Sequence, residues 1–157
     1  MNEPSATTQA VVSLGSNIEP RERRLADALA AIAALPQPRL VKASSIRETD
    51  PVDVPEEFRN LRFLNQIAVC ETTLEAHDFL HRLQTIENAQ GRVRGPARNV
   101  PRTIDLDLIA FGDLVMDDPE LTLPHPRAQG RAFVTEPLAE VLPGFFWPIR
   151  SRPVRTA

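Results

Sequence analysis

Thr103-Ile104-Asp105-Leu106-Asp107-Leu108-Ile109-Ala110-Phe111 is the stretch on which the reading of the fold turns. Apolar and acidic side chains alternate along its first half, which is the period of a half-buried strand. Ile104, Leu106, Leu108 and Ala110 are therefore expected to enter a core, with Asp105 and Asp107 together on the opposite face. Two carboxylates one strand-step apart suit a hard cation such as Mg²⁺, with nucleotide phosphates supplying further oxygen ligands. Alone, the triplet is better described as the polar face of a half-exposed strand. Its neighbours decide between the two.

Toward the N-terminus the strand is fed by a loop, Gly91 to Arg102. From Asn88 to Ile104 there are four arginines, Arg92, Arg94, Arg98 and Arg102, and no acid. Lys42 is the sole lysine of the chain. A guanidinium fork donates two parallel hydrogen bonds to phosphate oxygens, which a lysine cannot do. Anion donors running directly into paired cation ligands form the pattern of a metal–polyphosphate site.

Further out, Thr73 is expected to cap a helix running to about Gln90, with Phe79, Leu80, Leu83 and Ile86 on its apolar face and Gly91 at its end. Phe63 to Glu71 and Leu40 to Glu48 read as strands, with a Pro-containing loop from Thr49 to Arg62 between them. Leu25, Ala28, Leu29, Ile32 and Leu35 recur at helical spacing between Pro20 and Pro36. Ala10 to Leu14 is a short apolar run ended by Gly15-Ser16-Asn17, a strand and its turn. Beyond Phe111 come a Pro-rich loop, a short helix near Thr135 to Val141, and a tail rich in Pro and Arg. The order strand, helix, strand, strand, helix, strand predicts an α+β fold. Its expected form is a ferredoxin-like βαββαβ core, an antiparallel sheet covered by helices on one face, with a C-terminal extension. One domain over 1–157, with a core of about 10–148, is expected.

Composition narrows the function classes. The 157 residues suffice for one core, and 42% hydrophobic residues are ordinary for a globular chain. No apolar run approaches the ~20 residues needed to cross a bilayer. Met1 to Gln9 lacks the basic start of a signal peptide, so a cytoplasmic protein without membrane association is expected. A net charge of −3 argues against a general nucleic-acid binder. Cys70, the only cysteine, sits in an apolar run and reads as a buried thiol.

Other candidates are less specific. His125 lies in Leu123-Pro124-His125-Pro126, where two prolines restrict its backbone, with Arg127 and Arg131 nearby. His77 and His81 are four apart on the second helix but lack the Glu of a metalloprotease helix, so a solvated face is expected. There is no G-x-x-x-x-G-K-[ST] loop, no G-x-G-x-x-G after a strand and no G-x-S-x-G.

Taken in order, several segments resemble the 6-hydroxymethyl-7,8-dihydropterin pyrophosphokinase family of folate biosynthesis. They are Leu14-Gly15-Ser16-Asn17, Thr49-Asp50-Pro51, Phe63-Leu64-Asn65, Gln84-Thr85-Ile86-Glu87, Gly91-Arg92-Val93-Arg94, Pro101-Arg102-Thr103-Ile104-Asp105-Leu106-Asp107, Leu123-Pro124-His125-Pro126 and Arg131-Ala132-Phe133-Val134. The likeness runs from about Val11 to Pro143. It implies transfer of pyrophosphate from ATP to 6-hydroxymethyl-7,8-dihydropterin, releasing AMP. It implies two Mg²⁺ ions on Asp105 and Asp107, and ATP contacts from Gln84, Glu87, Arg92, Arg102, His125 and Arg131. Thr49, Asn65 and Phe133 fall where the family holds the pterin, Phe63 where it stacks an aromatic ring, and Arg94 in the catalytic loop alongside Arg92. The chain departs from the family pattern at Asp53, in the longer Val54 to Arg62 loop, and at Asn99 and Val100.

Two other classes compete. A non-catalytic pterin- or nucleotide-binding relative would keep the fold and release no AMP. A ferredoxin-like RNA-binding domain would expose aromatics on its sheet, but here the sheet face carries paired acids.

Overall fold

The computed structural model describes residues 7–50, 56–58, 61–91 and 104–148. The arginine-loop positions Arg92, Arg94, Arg98 and Arg102 lie outside the described residues, as do Asp53, Asn99 and Val100.

Strands β1 (Thr8–Ser16), β2 (Arg39–Ala43), β3 (Arg47–Thr49), β4 (Phe63–Thr72) and β5 (Asp105–Phe111) form one antiparallel sheet. The order along it is β2-β4-β1-β5, with short β3 also on β4. Helices α1 (Arg21–Ala34) and α2 (Ala76–Ala89) supply the two crossovers, as the split βαβ reading expects. β1 and β4 sit centrally and are buried along most of their length, which accounts for their nearly continuous apolar runs.

One face of the sheet is closed by α1 and α2. Leu25, Ala28 and Ile32 of α1, with Phe79, Leu83 and Ile86 of α2, pack on Val12, Leu14, Ala68, Cys70, Leu106 and Leu108. Burial pushes the Cys70 thiol up to about 12, so it stays protonated and unreactive.

The other face is not left open, and here the one-face expectation is corrected. Helix α3 (Ala132–Val141) lays Val134, Leu138 and Val141 over Val11, Ile67, Val69, Ile109 and Ala110. It starts three residues before the expected Thr135, because the Arg131 carbonyl accepts the N–H groups of Val134 and Thr135.

Three further expectations are corrected. Leu40 to Glu48 is not one strand: it breaks at Ser44–Ile46, where Ser44 Oγ accepts the Ile67 N–H at 2.9 Å. Thr73 does not cap α2; the helix begins at Ala76, and Thr72 Oγ1 accepts the Leu74 N–H at 3.0 Å while donating to Gln37. Ala110 does not share a face with Leu106 and Leu108. The β1–β5 register shifts between Val11 and Val12, so Val11 opposes Ala110 while Val12 opposes Leu108. Ile109 is the extra residue of this bulge, and the face changes there. The Pro-rich loop carries an unforeseen hairpin, β6 (Met116–Asp117) and β7 (Thr122–Leu123). Among the described residues no helix is long and apolar enough to cross a membrane.

Candidate active site

Where α3 leaves the second sheet face uncovered, the strands present a row of polar positions. Asp105 opposes Gly15 on β1, Gly15 opposes Asn65 on β4, and Asn65 opposes Arg47 on β3. Asp107 stands one row deeper, opposite the buried Ser13. Leu106 and Leu108 are in the helix-side core, and Asp105 and Asp107 are half-buried. The two carboxylates therefore share the face away from α1 and α2.

The strand that carries them is tied at its midpoint. Glu87 of α2 is only 2% exposed, and its Oε2 accepts the Leu106 backbone N–H at 2.7 Å. That bond lies between Asp105 and Asp107 in sequence and reaches them from the opposite side of the sheet. Glu87 is thus turned onto β5 rather than toward solvent. Gln84, one turn earlier on α2, is half-buried.

The β3–β4 side assembles three of the residues named from sequence. Asn65 is buried, and its Nδ2 donates to Thr49 Oγ1 at 2.6 Å. Phe63 opposes Thr49 and is half-buried. Gly15 completes the group: a Cβ there would lie 3.3 Å from Asn65 Oδ1 and 3.6 Å from the Phe63 ring. The missing side chain keeps the space over Asn65 and Phe63 clear. Gly15, expected in the turn after Leu14, lies instead within β1, because the strand pairs with β4 as far as Ser16, and its neighbours across the sheet give it this role.

His125 comes from the turn after β7. Its N–H donates to the Ile109 carbonyl at 2.8 Å, fastening the turn to β5. Burial lowers the pKa of His125 below its ordinary value. Arg131 and Arg127 push the same way, and Asp105 opposes them. The ring is then neutral at neutral pH. Its Nδ1 accepts the Arg127 N–H at 3.3 Å, which leaves the proton on Nε2 as a donor. Arg131 stands over Phe133 at the start of α3, its guanidinium 5.4 Å from the ring centroid, a cation–π distance. Phe133 packs beside the α3-side cluster.

His77 and His81 lie on the solvent-accessible face expected for them, and there they find acidic partners. Their Nε2 atoms meet Asp118 Oδ2 at 2.7 Å and Glu120 Oε2 at 3.0 Å, clasping the β6–β7 hairpin to α2. The hairpin leads into the His125 turn, so the clasp steadies one side of the site. The i, i+4 spacing was the only signal of it in the sequence.

The arrangement offers hard oxygen ligands on β5, a neutral histidine and a nearby arginine able to donate to phosphate, and a buried amide beside the Phe63 ring. The family model for 7,8-dihydro-6-hydroxymethylpterin-pyrophosphokinase (HPPK) matches residues 11–143. Over 133 residues the chain is 46% identical to the 2-amino-4-hydroxy-6-hydroxymethyldihydropteridine pyrophosphokinase of Pseudomonas aeruginosa, covering 84% of this chain and 79% of that one. The Bacillus subtilis protein of the same name is 40% identical over 132 residues, covering 84% and 77%. A crystal structure of Plasmodium falciparum HPPK-DHPS with pterin and p-hydroxybenzoate superposes with a TM-score of 0.70 at 15% identity, and that likeness concerns the fold. It covers 98% of this chain but 43% of the longer Plasmodium chain.

Proposed function

The chain belongs to the 7,8-dihydro-6-hydroxymethylpterin-pyrophosphokinase family, and from that membership we propose how its own residues carry the reaction. It transfers the β,γ-pyrophosphoryl group of ATP to the hydroxymethyl oxygen of 6-hydroxymethyl-7,8-dihydropterin, a step of folate biosynthesis. The hydroxyl oxygen bonds to the β-phosphorus and gives up its proton. The bond from that phosphorus to the α,β-bridging oxygen breaks, and AMP leaves. The reaction takes place in the cytoplasm, within a single domain.

The observation that carries this reading is the shared face of Asp105 and Asp107, beside the Asn65–Thr49 pair and the His125 turn. The two half-buried carboxylates, two residues apart on one strand, are hard oxygen donors of the kind Mg²⁺ takes. Asp105 and Asp107 would hold Mg²⁺, as two ions, which would supply charge neutralisation at the phosphate oxygens. The remaining work is positioning, since phosphoryl transfer needs alignment and charge neutralisation more than covalent help. His125 Nε2 and Arg131 donate to the nucleotide phosphates, with Gln84 on α2 and Arg102 also on the ATP side. Glu87 acts on ATP indirectly, by holding the strand of Asp105 and Asp107. Phe63 and Phe133 offer ring faces to the pterin, and Asn65 pairs with its polar edge.

ATP turnover with and without the hydroxymethyldihydropterin, scored for AMP rather than ADP, tests the activity. Pterin-dependent AMP is expected. Binding of both ligands without AMP would instead identify a non-catalytic relative. Asn65→Ala tests the pocket: pterin affinity should fall by ~1–3 kcal/mol, the cost of leaving buried polar groups unpaired. An unchanged affinity by calorimetry would remove Asn65 from the site.

Arg92 and Arg94 belong to the same reading on sequence grounds. They alternate after Gly91, so in an extended stretch both point to one side. Arg92→Ala should slow the chemical step on the order of 10²-fold while changing ATP affinity much less, because charge stabilisation matters most as the β-phosphorus is attacked. Single-turnover kinetics reads the two separately. Lost affinity with an intact chemical rate would make Arg92 a ground-state binder only.

A further inference from the structure

Strand β3 is three residues long and sits beside β4 at the site end of the sheet. A strand this short has few ladder bonds of its own and needs outside support to hold one position. The structure places that support on α3. Both carboxylate oxygens of Glu140 are used: Oε2 accepts the Ser45 N–H at 2.8 Å, and Oε1 accepts the Ser45 hydroxyl at 2.6 Å. Arg47, the first residue of β3, reaches the same helix, with Nη1 on Glu136 Oε1 at 3.2 Å and Nη2 on Glu140 Oε1 at 3.5 Å.

The helix is a firm base for this. Its opposite side, Val134, Leu138 and Val141, is buried against the sheet. On the strand side the chain of contacts continues. Arg47 opposes Asn65, and two residues on, Thr49 Oγ1 accepts the Asn65 side-chain N–H. An amide held through one N–H has its oxygen and nitrogen directions settled, and Asn65 Oδ1 then faces the space that Gly15 leaves clear.

We propose that Glu140 is a positioning residue for the pterin pocket: by clasping Ser45 and Arg47 it holds β3, whose Thr49 orients the Asn65 amide toward the substrate edge. The inference rests on the reading of Asn65 as the residue that pairs with the pterin. The Ser45 hydrogen bonds and the Arg47 charge hold the Glu140 carboxyl below its ordinary value, which keeps it an anionic acceptor at neutral pH. The charged groups facing it are Arg47 and, on its own helix, Glu136. Among the described residues the clasp joins Glu136 and Glu140 of α3 to Ser45 and Arg47 on the β3 side, so the two substrates are expected to respond differently.

The test uses the whole chain in three variants: Glu140→Ala, Ser45→Ala and Glu140→Gln. Pterin and ATP dissociation constants are measured separately by calorimetry, and the Asn65 side-chain amide is followed by ¹⁵N NMR in the free protein. Glu140→Ala should raise the pterin Kd roughly three- to tenfold, as expected when solvent-accessible hydrogen bonds that hold β3 are lost. ATP Kd should stay within about twofold, and the Asn65 amide resonances should move. Ser45→Ala, at an exposed position, should give a smaller change of the same kind and guards against misfolding of the first variant. Glu140→Gln keeps acceptor and donor for Ser45 and should restore most of the pterin affinity. Asn65 resonances that stay in place overturn the proposal, as does a parallel loss of both ligands with a fall in melting temperature. Asn65→Ala is run alongside. If it leaves pterin binding intact, the pocket reading fails by itself. If it weakens binding while Glu140→Ala does not, the pocket stands and the positioning role falls.

Discussion

Asp107→Ala is expected to abolish AMP formation, a loss on the order of 10³-fold or more, while the protein keeps its fold. The two halves of that result have separate causes. Asp107 is half-buried on the sheet face beyond the edge of α3, while its neighbours Leu106 and Leu108 fill the core. Truncating it therefore creates no core cavity, and the melting midpoint should drop by no more than a few degrees. Activity falls because one carboxylate alone cannot replace the paired oxygen ligands in neutralising polyphosphate charge. Asp105→Ala should behave alike, and the double variant should be little worse than either single one, since the pair acts as a unit. Full turnover in Asp107→Ala would remove the pair from the reaction. A collapse of the fold would mean that the residue is structural.

Glu87→Ala carries the largest expected effect on stability. Its carboxylate is almost completely enclosed and accepts the Leu106 N–H at 2.7 Å. Removing it strips a buried donor of this charged partner and leaves a cavity between α2 and β5, together about 2–4 kcal/mol. For a chain of this size the melting temperature should fall by roughly 5–15 °C. Activity should fall too, because the strand segment loosened is the one between Asp105 and Asp107. Glu87→Gln retains a neutral acceptor and should recover a good part of both. A change of under about 2 °C in Glu87→Ala would show that β5 does not depend on this bond.

Much of the site was legible because its signals are local. Asp105-Leu106-Asp107 states its geometry through a two-residue period, and the structure shows the two acids on one side of β5. Gly91 at the end of α2 has φ +83°, the left-handed conformation that a helix-terminating glycine adopts. Phe63-Leu64-Asn65 is likewise a two-residue period, and its ends share a face. Arg92, Arg94 and Arg102 were legible as a charge pattern and remain a reading from sequence.

What could not be read was whatever depends on a partner far away in the chain. The direction of Ala110 was missed because the bulge at Ile109 answers to β1, about a hundred residues earlier. The acidic partners of the α2 histidines could not be read, because Asp118 and Glu120 lie in a hairpin hidden within a Pro-rich stretch.

The sequence by itself determined the α+β class, the βαββαβ order, the two helices of the crossovers, the paired acids and the family. All of these rest on hydrophobic period, turn residues and motif order, which neighbouring residues carry without help. Only the tertiary structure decided that α3 covers the second sheet face, that Glu87 turns onto the Leu106 backbone, that Gly15 clears the space above Asn65, and that Glu140 holds β3. A helix, an acid or a glycine in the sequence shows what it can bond or leave open. Which group it meets is settled when the sheet brings together residues such as Ser45 and Glu140, 95 positions apart.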